Sequence, residues 1–196
     1  MMDKNKEIKT TKELSDNDLV EIIRKKNQER YSEIVERYQK KLFVYIYRLI
    51  GNREEAEDLL QDVFVKAYKN LNSYDTSRKF SSWIYRIAHN ESVNYIKRKS
   101  LKKFISWETI VSTKDKLDSS SEEEGADKAW IRKEVSKEVN EAIGKLPFKY
   151  KQVLTLRYYS DQSYEEIAEI LGRPVNTVGT LINRAKKKLA EEIKRR

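Results

Sequence analysis

A chain of 196 residues without cysteine excludes a disulfide framework and a thiolate metal site. With 37% charged and 38% hydrophobic residues, it is suited to small cores under a strongly hydrated surface, in one large or two small domains. The net charge of +9 favours a polyanionic partner. No apolar run approaches the roughly 20 residues of a membrane span or forms a secretory leader, so a cytoplasmic location without membrane insertion is expected.

Only five Gly and two Pro interrupt the chain, and helix is expected nearly throughout. Residues 1–13 are polar and Lys-rich, the composition of a frayed tail. Ser15 with Asp18 is a capping signal ahead of Leu19, Ile22 and Ile23. Ile34, Val35, Tyr38, Leu42, Tyr45, Ile46 and Leu49 then keep helical spacing up to Gly51 and read as core.

Asn52 with Glu55 opens the next helix. Ala56, Leu59, Leu60, Val63, Phe64, Ala67 and Leu71 form its apolar face, and Glu54, Glu57, Asp58, Gln61 and Asp62 lie opposite. From spacing alone those carboxylates read as a solvated face. A turn-rich loop from Asn70 to Ser77 follows. On the helix after it, Trp83, Arg86, Asn90, Asn94 and Lys97 share one side.

Between Arg78 and Lys103 eight Lys or Arg face one acid, Glu91, a balance of +7. Such a cluster neutralises phosphates, neighbouring aromatic rings offer stacking surfaces for unpaired bases, and Asn can donate and accept at one base edge. Periodicity alone makes Trp83 a core residue. His89, the single histidine, lacks the companions a metal or catalytic site needs and reads as a packing residue.

From Glu108 to Asp127 seven acids face two lysines, and "SSSEEEG" has the composition of a linker. Helices are expected over Trp130 to Ile143 and after Pro147. Ser163 and Glu166 form a capping box ahead of Tyr164, Ile167, Ala168 and Leu171; Gly172-Arg173-Pro174 breaks the helix, and Val178, Ile182, Ala185 and Leu189 give the next one a buried stripe. This is a helix-turn-helix. Its outward positions are Asn176, Thr177, Thr180, Asn183, Arg184 and Lys187, residue types suited to base edges and phosphates.

"AEDLLQDVFVKAYKNL" with "FSSWIYRIAHNESVNYIKRK" resembles the second conserved region of bacterial RNA polymerase sigma factors, in the small extracytoplasmic-function branch. "LPFKYKQVLTLRYYSDQSYEEIAEILGRPVNTVGTLINRAKKKL" resembles the fourth region of the same family. The order of the two, with an acidic segment between them, is more specific than the helix-turn-helix alone. The resemblance implies an all-α protein with two small helical domains, at 14–100 and 128–194, joined by a flexible acidic linker at 101–127.

It also implies a protein without catalytic groups or cofactors that joins core RNA polymerase, at the clamp of the largest subunit and at the flap. Asp58, Leu60, Gln61, Asp62 and Phe64 are the matching core-binding positions. Tyr74, Lys79, Phe80, Trp83, Arg86, Asn90, Asn94, Lys97 and Arg98 would contact and melt the −10 element of promoter DNA, the loop from Asn70 to Phe80 receiving an extruded base. Arg173, Asn176, Thr177, Thr180, Asn183, Arg184 and Lys187 would read the −35 element. A membrane-bound anti-sigma factor, releasing the protein on an envelope signal, is the further partner implied.

Relatives often carry Lys or Arg near positions where this chain has Gly179 and Leu181, which predicts fewer phosphate contacts; a glycine in a helix costs about 1 kcal/mol relative to Ala, though it permits a closer backbone approach to DNA. A standalone helix-turn-helix regulator would need neither the acidic helix nor the single-strand-binding one. A nuclease would need a metal cluster or a nucleophile-base pair that the residues do not supply.

Overall fold

The structure, a computed structural model, describes residues 14–25, 27–109 and 137–195. Among them every regular element is helical: α1 (Asp16–Lys25), α2 (Tyr31–Ile50), α3 (Arg53–Asn70), α4 (Phe80–Thr109), α5 (Lys137–Lys145), α6 (Phe148–Tyr158), α7 (Tyr164–Leu171) and α8 (Val175–Lys194), with short 3₁₀ turns at Gln28–Arg30 and Leu71–Ser73. The N-terminal tail, the stretch 110–127 of the acidic linker and the first residues of the helix expected from Trp130 lie outside the described residues.

Local chemistry sets most of the boundaries. Ser15 Oγ accepts from the Asp18 N–H at 3.1 Å and opens α1. Gly51, at φ 80°, closes α2 in the left-handed conformation a glycine adopts without a Cβ clash. Asn52 Oδ1 accepts from the Glu55 N–H at 2.9 Å and starts α3 directly afterwards. Pro147 sits at the N-cap of α6, and Gly172, at φ 61°, separates α7 from α8. Both bonds of the capping box form: the Glu166 N–H donates to Ser163 Oγ at 3.2 Å, and the Ser163 N–H donates to Glu166 Oε2 at 2.6 Å. α4 continues past residue 100, to Thr109.

In the core of α1–α4, Leu19, Ile34, Leu42, Tyr45, Ile46, Val63 and Ile84 are closed to solvent. In α6–α8 the same holds for Val153, Leu156, Ile167, Val178, Ile182 and Ala185. Burial at this density supplies most of each domain's stability, at roughly 1.5–3 kcal/mol per large aliphatic side chain.

The two groups of helices pack on each other: α7 against α4, and α6 against α2. Arg48 of α2 stacks its guanidinium 3.4 Å from the centroid of the Tyr159 ring and donates to Asn140 Oδ1 at 2.7 Å. His89 of α4 is stacked on Phe148 of α6, with ring centroids 6.4 Å apart.

Candidate protein and nucleic-acid interfaces

The outer face of α3 carries Asp58, Gln61 and Asp62 in open solvent, with Leu60 half-buried beside them. Phe64 is only 8% exposed, and its carbonyl accepts the Tyr31 hydroxyl at 2.7 Å, so it braces the helix from inside. The apolar surface on this face comes instead from Val65 and Tyr68, 51% and 41% exposed, which sequence reasoning missed. Val65 stands one turn beyond Gln61 and Asp62, opposite the core stripe, and Tyr68 about a turn further on at the flank of that stripe. Tyr68 meets Tyr31 edge-on at 5.0 Å and donates to Gln28 Oε1 at 3.1 Å.

The loop after α3 leads into α4 through an aromatic cluster. Tyr74 lies 5.3 Å from Phe80 and 5.1 Å from Trp83, and Phe80 lies 5.4 Å from Trp83, between ring centroids. Tyr74 and Phe80 are buried at 3% and 2% exposure and have no face to offer DNA in this arrangement. In this arrangement they are packed beneath Trp83, which is half-buried, rather than at the surface where contacts were expected. Burial, followed by the nearby charge of Asp16, pushes the Tyr74 hydroxyl up to about 12.

Along α4, Arg86, Asn90, Asn94, Lys97 and Arg98 are all exposed. Glu91, the single acid in this stretch, is turned inward and paired with Lys66 Nζ of α3 at 2.5 Å. Its charge is thereby kept off the exposed row. Lys99 is drawn back to Glu55 at 2.9 Å and receives no free role. Lys79, at the end of the loop, pairs with Glu166 Oε1 of α7 at 2.9 Å; the neighbouring Arg78 reaches Glu169 Oε1 at 3.4 Å. The bond from Glu166 holds the Lys79 ammonium above its ordinary range.

On the helix-turn-helix, Arg173, Asn176, Thr180, Asn183, Arg184 and Lys187 are exposed and Thr177 is half-buried. Thr180 Oγ1 donates to the Asn176 carbonyl at 3.0 Å, so its hydroxyl is partly committed to its own helix. At Gly179 a methyl added to the backbone would meet the Tyr164 ring at 3.7 Å. The bare side of the glycine faces Tyr164 of α7 at ordinary contact distance. Leu181 joins the edge of the core.

One further surface escaped the sequence. Ile143, Leu154, Tyr158, Leu189 and Ile193 line an apolar groove of about 540 Å³ between α5, α6 and α8. Helical periodicity marked Leu189 as core and could not show that the surface beside it stays open. Among the described residues no group of His, Asp and Glu could hold a metal ion, and no helix is long and apolar enough to cross a membrane.

Residues 34–101 match the Sigma-70 region 2 family model, and residues 136–189 match Sigma-70, region 4. The chain is 36% identical over 174 residues to the ECF RNA polymerase sigma factor SigW of Bacillus subtilis, covering 88% of this chain and 93% of that protein. It is 31% identical to the RNA polymerase sigma-H factor of Pseudomonas aeruginosa, covering 87% and 90%. The fold is that of CnrH, solved in complex with the cytosolic domain of CnrY, at a TM-score of 0.65 and 24% identity over 90% of this chain and 95% of that one.

Two helical units carrying these two regions in this order define an RNA polymerase sigma factor, a transcription-initiation protein. Within that class, the chain belongs to the extracytoplasmic-function family.

Proposed function

We propose that this protein joins core RNA polymerase, selects promoters through their −35 and −10 elements and opens the −10 segment, without catalytic groups of its own. The observation that carries the reading is the exposed row Arg86, Asn90, Asn94, Lys97 and Arg98, from which Glu91, the one acid between them in sequence, has been withdrawn into the Lys66 pair. Beside it, Trp83 rests on Tyr74 and Phe80 and offers a ring edge to an unstacked base. Extruding a base costs a few kcal/mol, which phosphate neutralisation, stacking and hydrogen bonds to its edge offset. Strand opening then draws on binding energy alone.

The outer face of α8, with the turn before it, reads the −35 duplex in the major groove, Asn176, Thr177, Thr180 and Asn183 toward base edges and Arg184, Lys187 and the turn residue Arg173 toward phosphates. The α3 face docks on the polymerase clamp. Asp58, Gln61 and Asp62 steer the encounter, while Leu60, Val65 and Tyr68 supply apolar contact. The open groove of α5, α6 and α8 suits an apolar helix face such as a flap element would present. The work is done in the cytoplasm, and a membrane-bound anti-sigma factor withholds the protein until an envelope signal arrives.

Charge reversal tests the docking face. Asp58→Lys with Asp62→Lys should leave the thermal midpoint unchanged and reduce capture of core polymerase about tenfold or more at low salt, mainly through slower association. Unchanged capture would remove α3 from the interface.

A further inference from the structure

The loop between α3 and α4 is held from behind by α1, a helix 47 or more residues away in sequence. Arg24 donates from Nε to the Leu71 carbonyl at 3.0 Å, and from Nη2 to the carbonyls of Leu71 and Tyr74. Its remaining arm is fixed by Glu21 Oε1 at 3.1 Å. Asn17 stands about two turns earlier on the same face of α1. Its Nδ2 donates to the carbonyl of Thr76 at 2.8 Å and that of Arg78 at 3.1 Å. Its Oδ1 lies 2.7 Å from the Tyr74 hydroxyl, which also lies 2.5 Å from the Arg78 carbonyl.

Four loop carbonyls therefore find donors on two side chains of α1. The loop itself adds an Asx turn, in which Asp75 Oδ1 accepts from the Ser77 N–H at 3.0 Å. A segment of this composition would otherwise sample many conformations, and ordering it on binding would subtract from affinity. Here its path is set beforehand. Lys79 emerges from a backbone whose preceding carbonyl is fixed, and Trp83 leans on Tyr74, whose own carbonyl is held by Arg24.

We infer that Asn17 and Arg24 are positioning residues for promoter recognition, holding the loop 71–79 in the one shape in which its cationic end and Trp83 receive an unpaired −10 base. The inference rests on the −10 reading of this surface given above. α7 contacts the same loop from outside, through Lys79 and Arg78, by exposed ion pairs that can be exchanged for phosphates. The bonds from Arg24 are partly buried, its side chain being 16% exposed, and are less open to that exchange.

Conservative variants separate positioning from simple support. Asn17→Asp keeps the acceptor for Tyr74 and loses the donor to Thr76 and Arg78. Arg24→Lys keeps the charge but cannot span two carbonyls. Each full-length variant is combined with core polymerase on promoters randomised across the −10 element, and transcripts are counted by base at each position. Thermal unfolding and the dependence on promoter concentration are followed in parallel.

The expected result is a loss of base preference of about tenfold at one −10 position, and a slower opening step, with the half-saturating promoter concentration and unfolding midpoint near wild type. Arg24→Lys should retain more preference than Arg24→Ala. Wild-type preference in both conservative variants, or a uniform loss at every position that tracks a lowered midpoint, overturns the positioning role and leaves the −10 reading intact. Absence of any −10 preference in the wild-type protein overturns both.

Discussion

Lys79 Nζ lies 2.9 Å from Glu166 Oε1, and this pair ties the loop proposed to receive the −10 strand to the carboxylate that caps the helix-turn-helix. The two promoter elements differ in position by about 25 base pairs, about 85 Å at 3.4 Å per pair. A compact chain of this length is roughly 40 Å across. The docked arrangement of α4 and α7 must therefore separate before both elements can be held. Fluorophores placed on α3 and α8 should report a short distance in the free protein and a long one in the complex with polymerase and promoter. Lys79→Glu should lengthen the free-state distance only slightly, because an exposed pair contributes under about 1 kcal/mol and the Arg48–Tyr159 and His89–Phe148 contacts remain.

The buried histidine makes the packing sensitive to acid. Burial, with a smaller contribution from the charge of Arg173, lowers the His89 imidazole from 6.5 to about 4. In the unfolded chain it takes up a proton near pH 6.5, so between pH 6.5 and 4 the unfolded state binds more protons. Stability should be level above pH 6.5 and fall by up to about 3 kcal/mol on the way to pH 4. At Glu166 burial raises the carboxyl, but the Ser163 N–H and Lys79 together outweigh it and hold the group below its ordinary value of 4.5. Its contribution is present above pH 4.5 and is lost below, adding to the acid limb. Urea midpoints measured at pH 7.5 and 5.5 should differ clearly for the wild type and much less for His89→Gln.

Gly179 offers a stabilising change. Its conformation is helical, and an alanine methyl would sit at ordinary contact distance from Tyr164. Gly179→Ala should raise the stability of the C-terminal helices by about 0.5–1 kcal/mol, read as a higher thermal midpoint, without weakening duplex binding. A loss of binding would mean that the glycine backbone does approach DNA.

Asn90 distinguishes opening from duplex binding. Its side chain is exposed on α4, so Asn90→Ala should leave the fold and the affinity for closed duplex within about twofold while slowing strand opening about tenfold. Permanganate reactivity of unpaired thymines against filter retention of the closed complex gives the two numbers. Equal losses in both would assign Asn90 to general DNA affinity.

What could be read from the letters was local. The caps at Asn52 and Ser163 and the glycine stops at 51 and 172 are short-range chemistry, and each forms where its residues stand. The core stripes of α2, α3, α7 and α8 follow from the helical period. Val65 was legible as surface from its place opposite the core stripe, whereas Tyr68 stands at the flank of that stripe, where an apolar letter carries no sign of which way it leans. The hold of Asn17 and Arg24 on a loop some 50 to 60 positions away joins residues that no local pattern links. Arg48 on Tyr159 joins the two domains by the same long-range route. The neighbour of Gly179 was hidden for a related reason: Tyr164 meets it from across the turn, and helix spacing alone does not name a partner on another helix.

Run-off transcription with purified core polymerase on a pool of genomic promoters tests the central claim most directly. The account predicts discrete new start sites that need both components, sharing one −35 and one −10 sequence and fading as salt rises. Protection of duplex DNA by the protein alone, with no transcript in the presence of core polymerase, would contradict it and leave a standalone helix-turn-helix regulator as the better description.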